Sequence, residues 1–215
     1  TRDLDTLAYR TLTKLGATPS FKGYRGFPAS LCASINDEVV HGIPNKKRVL
    51  RDGDIISLDV GAYYKGFHGD SAVTLPVGTV DGRVTALLDA CKAGLAAAIG
   101  AARAGAQVGD ISAAVDAYVT ARGFSVVREY TGHGVGRKMH EDPQVLNFVP
   151  LGAGRGARLR PGTTLAIEPM VNAGTWRTRT LADGWTVVTA DGLRSAHFEH
   201  SIAVTDDEPV ILTVL

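Results

Sequence analysis

Strong net charge and a disulfide framework are both missing from this sequence, and each absence narrows what the chain can do. The 23 Lys and Arg residues nearly balance the 22 Asp and Glu residues, giving a formal net charge of +1. This balance provides no global electrostatic attraction to nucleic acid or to an anionic membrane. The two cysteines, Cys32 and Cys91, do not form the pattern of a disulfide-rich secreted domain. We therefore expect reduced thiols in a cytoplasmic protein.

Long hydrophobic runs are also missing. The longest apolar stretch, residues 94–102, is rich in alanine, interrupted by glycine and too short to span a bilayer. Apolar residues nevertheless make up 45% of the 215 residues and charged residues 21%, which is typical of a soluble globular protein with a substantial core. We expect one domain that spans residues 1–215.

Hydrophobic periodicity predicts that this domain is of the α+β class. Apolar residues at helical spacing predict helices over residues 4–15 and 84–99, the first of them ending at Gly16. A further helix is expected to begin with Asp110 as its N-cap and to end at Gly123. Apolar and β-branched segments predict a strand with a turn over residues 30–40 and strands over residues 54–60, 67–75, 125–129, 164–168, 185–189, 197–205 and 209–214.

Two carboxylates are expected to meet on one face of a β-hairpin. If Lys65 and Gly66 are the two turn residues, Asp59 lies opposite Ala72, and Asp70 is its diagonal neighbour on the same face. Ionised carboxylates on a half-buried face are costly without a partner, and a cation would remove that cost. The alternative is an ordinary pair of exposed acids, which this pair alone does not exclude.

Two further acids lie at or within apolar strand segments. Glu168 ends an apolar run and precedes a proline, which favours an extended backbone at Glu168. Glu199 lies in the middle of an expected strand. Taken singly, each is better explained as a strand-end acid that faces water or pairs with an arginine such as Arg177 or Arg194.

A histidine lies between glycines in the segment 131–140. The glycines on both sides of His133 allow the backbone to approach another group closely, and the segment lacks the spacing of a phosphate-binding loop. A lone histidine in such a loop is more often not a ligand. Four acids and one histidine together would form an oxygen-rich site that suits a pair of Mn, Fe(II), Co or Zn ions rather than one structural zinc.

Taken together, five segments resemble the type I methionine aminopeptidases, which belong to the pita-bread metallopeptidases. The segments follow that family's order from about residue 18 onward, although each motif alone is weak. They are Ser-Ile-Asn-Asp-Glu-Val-Val-His-Gly-Ile-Pro at 34–44, Asp59 with Asp70, Gly-His-Gly-Val-Gly at 132–136, Glu-Pro-Met-Val at 168–171, and Glu199 with His200. The resemblance implies an α+β pita-bread fold, with a curved antiparallel sheet backed by helices and two pseudo-symmetric halves.

The same resemblance implies roles for individual residues. The implied metal ligands are Asp59, Asp70, His133, Glu168 and Glu199. Asp70 and Glu199 would bridge two divalent ions, with Asp59 on one ion and His133 and Glu168 on the other.

Catalytic and substrate-binding roles are implied as well. Glu168 would carry protons, and His41 and His140 would contact the substrate. The methionine side chain of the substrate would be bound by Tyr24, Phe27, Cys32, Met139 and Trp185. Any one of these five could instead be a core residue.

The implied activity is removal of the initiator methionine from nascent proteins, with a preference for a small second residue. The partner would be the N-terminal peptide of a nascent protein, and the basic segments 46–48 and 155–160 could approach the ribosome. We expect a monomer with no specific nucleic acid and no membrane partner. The alternatives are another pita-bread peptidase, of the prolidase or aminopeptidase P type, and a non-catalytic binding module on the same fold.

Two features depart from the family pattern. The chain begins at Thr1, so a short N-terminal segment usual in the family is expected to be missing, and no zinc-binding extension or large insertion is visible, as in the bacterial-type short form. His197 stands where many relatives are expected to have glutamine. It could share the face of Glu199 and tune the site, but a simple polar substitution is the favoured interpretation.

Overall fold

The computed structural model describes residues 1–152 and 154–214, and within those ranges it contains three α-helices and fifteen strands. The helices are Arg2–Lys14 (α1), Gly82–Ala101 (α2) and Val108–Thr120 (α3). The strands are Thr18–Pro19 (β1), Cys32–Ile35 (β2), Glu38–Val40 (β3), Ile55–Tyr64 (β4), Phe67–Pro76 (β5), Ser125–Val126 (β6), Gly132–Gly134 (β7), Glu141–Val145 (β8), Thr164–Ile167 (β9), Met170–Asn172 (β10), Thr178–Thr180 (β11), Val187–Thr189 (β12), Ser195–His197 (β13), Glu199–Ala203 (β14) and Val210–Ile211 (β15). The α+β class expected from the sequence is confirmed.

Nine of the described strands form one antiparallel sheet. Its order is β1-β4-β5-β14-β9-β7-β8, with β2 paired to β4 and β15 paired to β14. The central pair joins β5, from residues 67–76, to β14, from residues 199–203. Strands that are far apart in sequence therefore become neighbours in the middle of the sheet.

The β4–β5 hairpin has the register that the sequence predicted. Lys65 and Gly66 occupy the turn with φ of 48° and 93°, and positive φ at both central residues suits a two-residue hairpin turn. Asp59 pairs with Ala72, and Gly61 pairs with Asp70. Because side chains two residues apart on a strand share a face, Asp59 and Asp70 project from the same side of the sheet.

One face of the sheet packs on helices α2 and α3. Leu165 and Ile167 of β9 and Ile202 of β14 are at most 1% exposed, and they join Leu87 and Ile111 of the helices in the main core cluster. Helix α2 is the one described helix that is long and apolar enough to cross a membrane, and half of its apolar window is buried inside the protein. Its place in this core accounts for its composition.

Some boundaries differ from the sequence prediction. Helix α3 has Gln107 rather than Asp110 as its N-cap, and Asp110 is instead the third helical residue, whose carboxylate accepts a hydrogen bond from the Gln107 backbone N–H at 2.8 Å. The helix ends before Gly123, at Thr120. The strand predicted over 197–205 is interrupted at Phe198 and divides into β13 and β14 of two different sheets. Glu199 therefore begins a strand instead of interrupting one.

Candidate metal centre

Five consecutive strands of the main sheet bring the five expected ligands to one cavity. Asp59 lies in β4, Asp70 in β5, Glu199 at the start of β14, Glu168 directly after β9, and His133 in β7. All five line the same cavity of about 640 Å³. Because these strands are neighbours in the sheet order, topology rather than proximity in sequence creates the cluster.

Strand register places these side chains on one face of the sheet. In one row, Asp59 and Glu199 pair with Ala72 from its two sides. In a second row, two residues further along β14, Ala166 pairs with His133. Directly opposed residues project to the same face. The small alanine at the centre of each row leaves space between the larger polar side chains.

The imidazole of His133 is oriented as a metal-binding histidine would be. Its Nδ1 lies 2.8 Å from the carbonyl oxygen of Gly134, so Nδ1 carries the hydrogen and donates it to that oxygen. Nε2 is then the bare nitrogen, 3.8 Å from Asp70 Oδ2 and 3.4 Å from Glu168 Oε1. A hydrogen bond that fixes the tautomer in this way is usual for metal-binding histidines.

The carboxylates of the site are buried without a positive counter-charge. Asp59, Asp70 and Glu199 are 9%, 5% and 2% exposed, and each has one oxygen that lacks a hydrogen-bond partner among the described residues. Within residues 1–152 and 154–214, no lysine or arginine forms an ion pair with these acids or with Glu168. Unpaired buried carboxylates are costly, so these oxygens call for a cation.

The pKa values of the four acids are all raised, which reflects the free-energy cost of ionising buried carboxylates. Burial raises the pKa of Asp70 to about 7. The pKa values of Asp59, Glu168 and Glu199 are raised by burial and then by the charges of neighbouring carboxylates, Asp70 first among them. A divalent cation favours the ionised forms. Since carboxylate and imidazole ligands suit divalent ions, the residues present fit a metal site.

Two further histidines face the cavity, and both are neutral near pH 7. The ring of His41 lies edge-on to that of Trp185, and burial lowers the pKa of His41 to about 4. The centroid of the His140 ring lies 4.2 Å from that of His133. Desolvation, followed by the charge of His133, lowers the pKa of His140 to about 4. Tyr24 Oη lies 3.0 Å from His140 Nδ1.

The remaining wall of the cavity is largely apolar and aromatic. Four of the five residues expected to bind a methionine side chain line it, namely Tyr24, Phe27, Cys32 and Trp185. The rings of Phe27 and Trp185 meet edge to face, with centroids 5.1 Å apart. The fifth, Met139, is 3% exposed and packs against Gly61, and it is not among the residues that line the cavity. The structure therefore brings four of these five side chains to the cavity surface.

Two residues of this wall were not anticipated from the sequence. Phe21 and Arg25 line the cavity and come from the loop that also carries Tyr24 and Phe27. Arg25 has a φ of 49°, which is uncommon outside glycine. The sequence feature that could have indicated these two residues is the concentration of aromatic residues and glycines in this loop.

His197 is buried beside two of the acids. Its side chain is 1% exposed, and its Nε2 lies 3.8 Å from Glu168 Oε2 and 3.9 Å from Glu199 Oε2. Burial lowers the pKa of His197 to about 3. The ring lies on the side of Glu199, as the interpretation that it tunes the site requires, and the favoured interpretation as a simple polar substitution stays a prediction.

Nearly the whole chain matches one family of metallopeptidases. Residues 1–206 match the metallopeptidase family M24, and the chain belongs to this family. Relatives that share about half of their residues with the chain are named methionine aminopeptidases. The chain is 53% identical over 213 residues to methionine aminopeptidase 1 of Bacillus subtilis, a match that covers 99% of this chain and 85% of that protein.

Solved structures agree with this family assignment. The crystal structure of methionine aminopeptidase from Thermotoga maritima matches with a TM-score of 0.96 at 48% identity, covering 99% of this chain and 85% of that chain. A prolidase from Pyrococcus furiosus matches with a TM-score of 0.66 at 21% identity, covering 85% of this chain and 49% of that chain, and therefore shares the fold alone. The pita-bread fold and the resemblance stated from the motifs are confirmed.

Proposed function

We propose that this chain is a methionine aminopeptidase that uses two divalent metal ions to remove the initiator methionine from nascent proteins. The observation that carries the proposal is the convergence of three buried acids, the partly buried Glu168 and His133 on one cavity, and each of the three buried acids has a carboxylate oxygen that lacks a partner among the described residues. The 53% identity to methionine aminopeptidase 1 of Bacillus subtilis supports the choice of activity within the family.

Two ions are proposed because four carboxylates can supply four negative charges, which two divalent ions balance. Asp70 lies on β5 and Glu199 on the neighbouring β14, between the strands that carry Asp59 and His133, so these two acids would be the ones shared by both ions. Asp59 on one side would hold one ion, and His133 and Glu168 on the other side would hold the second. These ligands accept Co, Mn, Fe(II) or Zn.

When bound, the ions would polarise the scissile carbonyl, activate water as the nucleophile and hold the free N-terminal amine, which accounts for aminopeptidase rather than endopeptidase action. Glu168 takes the proton from the attacking water and passes it to the leaving amine. Before metal binds, burial first, and then the charges of Asp70 and Asp59, raise the pKa of Glu168 above its ordinary value. The bound cations would lower this pKa again, so Glu168 would meet the water as a carboxylate that can accept its proton.

The neutral histidines act as hydrogen-bond donors. Tyr24 Oη is close enough to donate to His140 Nδ1, which leaves the hydrogen of the ring on Nε2. His140 can then donate from Nε2 to the carbonyl oxygen as negative charge develops there. His41, on the side of the cavity next to Trp185, would contact the scissile amide nitrogen.

The aromatic wall would receive the methionine side chain. Tyr24, Phe27 and Trp185 present ring surfaces, and Cys32 presents a buried thiol. A thioether makes favourable contacts with aromatic rings and packs flexibly against apolar groups. A small second residue of the substrate would be preferred.

The proposed setting is the cytoplasm. Residues 1–215 would act as one catalytic domain and as a monomer on the N-terminal peptides of nascent proteins. The basic segments 46–48 and 155–160 would allow a transient approach to the ribosome, although most such segments are simply solvated surface.

The proposal is tested by metal-supplemented hydrolysis of the peptide Met-Gly-Met, with an Xaa-Pro peptide as the comparison substrate. The expected result is release of free methionine from Met-Gly-Met, little hydrolysis of the Xaa-Pro peptide, and loss of activity in Asp59→Ala. Preferential cleavage of the Xaa-Pro peptide would assign the chain to the prolidase type instead. Metal-loaded protein that cleaves neither peptide would support a binding module.

A second experiment tests the assignment of residues. Glu168→Gln should lower kcat by about 100- to 10,000-fold, the usual contribution of a general acid or base. His41→Ala should lower the rate while leaving the metal content unchanged. Retained turnover in Glu168→Gln with both ions bound would remove Glu168 from the proton-transfer role, and loss of metal in His41→Ala would contradict the role given to His41.

A further inference from the structure

We propose that His197 is a positioning residue that orients the carboxylates of Glu168 and Glu199 for metal binding through a hydrogen bond donated by its Nε2. The inference rests on the metal site proposed above and adds a residue to it. Nε2 of His197 and one oxygen of each carboxylate lie within 4.8 Å of one another.

The backbone of His197 is hydrogen-bonded on both sides, whereas its ring nitrogens are not. Thr74 Oγ1 accepts a hydrogen bond from the His197 backbone N–H at 2.8 Å and donates one to the His197 carbonyl oxygen at 2.8 Å. Neither ring nitrogen of His197 has a hydrogen-bond partner among the described residues. A buried polar atom without a partner costs about 1–3 kcal/mol. Because burying the His197 ring without hydrogen bonds is costly, we expect the ring to have a functional role.

The ring has two acceptors close at hand, and both belong to the metal site. Nε2 lies 3.8 Å from Glu168 Oε2 and 3.9 Å from Glu199 Oε2. These separations are longer than a hydrogen bond, but a shift of less than about 1 Å by either carboxylate closes the bond. A neutral imidazole carries one N–H, so Nε2 donates to one of these oxygens or shares its hydrogen between them.

The two oxygens of Glu168 face different groups. Oε1 lies 3.4 Å from Nε2 of His133, on the side of the expected metal ligands, and Oε2 faces His197. A hydrogen bond from His197 to Oε2 would hold Oε1 towards the metal. Side chains that orient a ligating carboxylate in this way usually change metal affinity by about 10- to 100-fold when they are removed.

The test compares three substitutions at position 197. His197→Gln keeps an N–H donor at nearly the same reach, His197→Asn keeps the donor but shortens the side chain, and His197→Leu removes it. Binding of Mn²⁺ to the metal-free proteins is measured by calorimetry, and the visible absorption of the Co²⁺-loaded proteins reports the ligand geometry. Urea unfolding of each metal-free variant shows that it is folded.

His200→Leu is the matched control. His200 follows Glu199 directly and therefore projects to the opposite face of β14, where its Nδ1 lies 2.8 Å from Thr213 Oγ1. Its replacement removes a histidine of similar sequence position without touching the proposed metal site. His200→Leu should bind Mn²⁺ as the unsubstituted protein does.

The expected result is a Kd for Mn²⁺ that is close to that of the unsubstituted protein in His197→Gln and about 10- to 100-fold higher in His197→Asn and His197→Leu. The absorption of Co²⁺ should change in the latter two only. Unchanged binding in Asn and Leu variants would overturn the positioning role. Equally weak binding in Gln, Asn and Leu variants would also overturn it, because the imidazole would then be a direct ligand.

The experiments distinguish failure of the proposed function from failure of the role of His197 alone. If the unsubstituted protein binds no divalent ion, the proposed function fails together with this inference. If it binds metal and cleaves Met-Gly-Met while all three variants match it, only the role of His197 is lost. Should the Leu variant not fold, the contrast between Gln and Asn, both polar amides, decides the question.

Discussion

The two faces of the central sheet differ sharply although the same strands build both. On the helix side, Ile167 and Ile202 are at most 1% exposed and belong to an apolar core cluster. On the cavity side, Glu199 of β14 and His133 of β7 are 2% and 6% exposed, yet they are polar, and one oxygen of Glu199 lacks a hydrogen-bond partner within the described residues. Similar burial thus accompanies a stabilising apolar core on one face and the proposed metal site on the other.

Side chains alternate between the two faces along β14, so cavity-facing and core-facing residues are direct sequence neighbours. Glu199 and Ser201 project to the cavity face, and His200 and Ile202 project to the other. The apolar face stabilises the fold through buried area, and that stability holds together acids that would otherwise separate. Substitutions on the cavity face should therefore lower activity, and substitutions on the apolar face should lower stability.

The largest effect is expected for Glu199→Gln. The change removes a proposed bridging ligand, so kcat/KM for Met-Gly-Met should fall by more than about 100-fold, which is the upper end of the loss seen when only the supporting partner of a ligand is removed. It also removes a buried charge that its neighbours repel. The free energy of unfolding of the metal-free protein near pH 7.5 should then be equal or higher, as measured by urea unfolding. Near-normal activity would show that Glu199 is not a ligand.

Ile202→Ala tests the opposite face. Loss of this fully buried side chain should lower the free energy of unfolding by about 2–5 kcal/mol. The folded protein should still bind the same number of metal ions, as measured by elemental analysis after dialysis. A variant that stays folded but loses metal would show that the two faces are not independent.

The pH dependence of stability sharpens the comparison further. The pKa of Asp70 is about 7 in the folded protein, against an ordinary value of 3.8. Between these values the folded protein binds more protons than the unfolded chain, so the free energy of unfolding of the metal-free protein should fall as pH rises from about 4 to about 7. Each pKa unit corresponds to about 1.4 kcal/mol.

Urea unfolding in a chelator at several pH values measures this slope. Asp70→Asn is the control, because it removes one group that titrates in this window and should make the dependence shallower, while the raised pKa values of Asp59, Glu168 and Glu199 keep part of the slope. Stability that rises through the same window would contradict the account of the buried acids. In Ile202→Ala the slope should persist at a lower overall stability.

The smallest effect is expected for Tyr24→Phe. The change removes the hydroxyl that lies 3.0 Å from His140 Nδ1 and leaves the aromatic ring in place. A neutral hydrogen bond of this kind contributes about 0.5–1.5 kcal/mol, so kcat should fall by about 2- to 12-fold. Calorimetry should show unchanged metal affinity. A loss of metal would mean that Tyr24 supports the ligands rather than the substrate contact.

Local patterns in the sequence were sufficient to predict the register of the β4–β5 hairpin and the positions of the three helices. The turn at Lys65 and Gly66 fixed the hairpin register, and with it the shared face of Asp59 and Asp70. The three helices lie where periodicity placed them, apart from their ends. At α3, Asp110 has the chemistry of an N-cap, but the residue three positions earlier takes that place and Asp110 completes the capping box.

Long-range pairing was not available from local patterns. The pairing of β14 with β5 joins residues about 130 positions apart, and no turn or period in the sequence encodes it. Glu168 and Glu199 were therefore placed at the site by family resemblance rather than by their own surroundings. Met139 differs from the other four residues expected to bind the methionine side chain, because its own side chain lies beside Gly61 while the adjacent His140 lines the cavity.

Anomalous diffraction from crystals of the Mn²⁺-loaded protein tests the central claim most directly. We expect two peaks about 3.5–4 Å apart, both next to the carboxylates of Asp70 and Glu199, with one near Asp59 and the other near His133 and Glu168. A single peak, or two peaks that share neither Asp70 nor Glu199, would contradict the proposed two-metal centre.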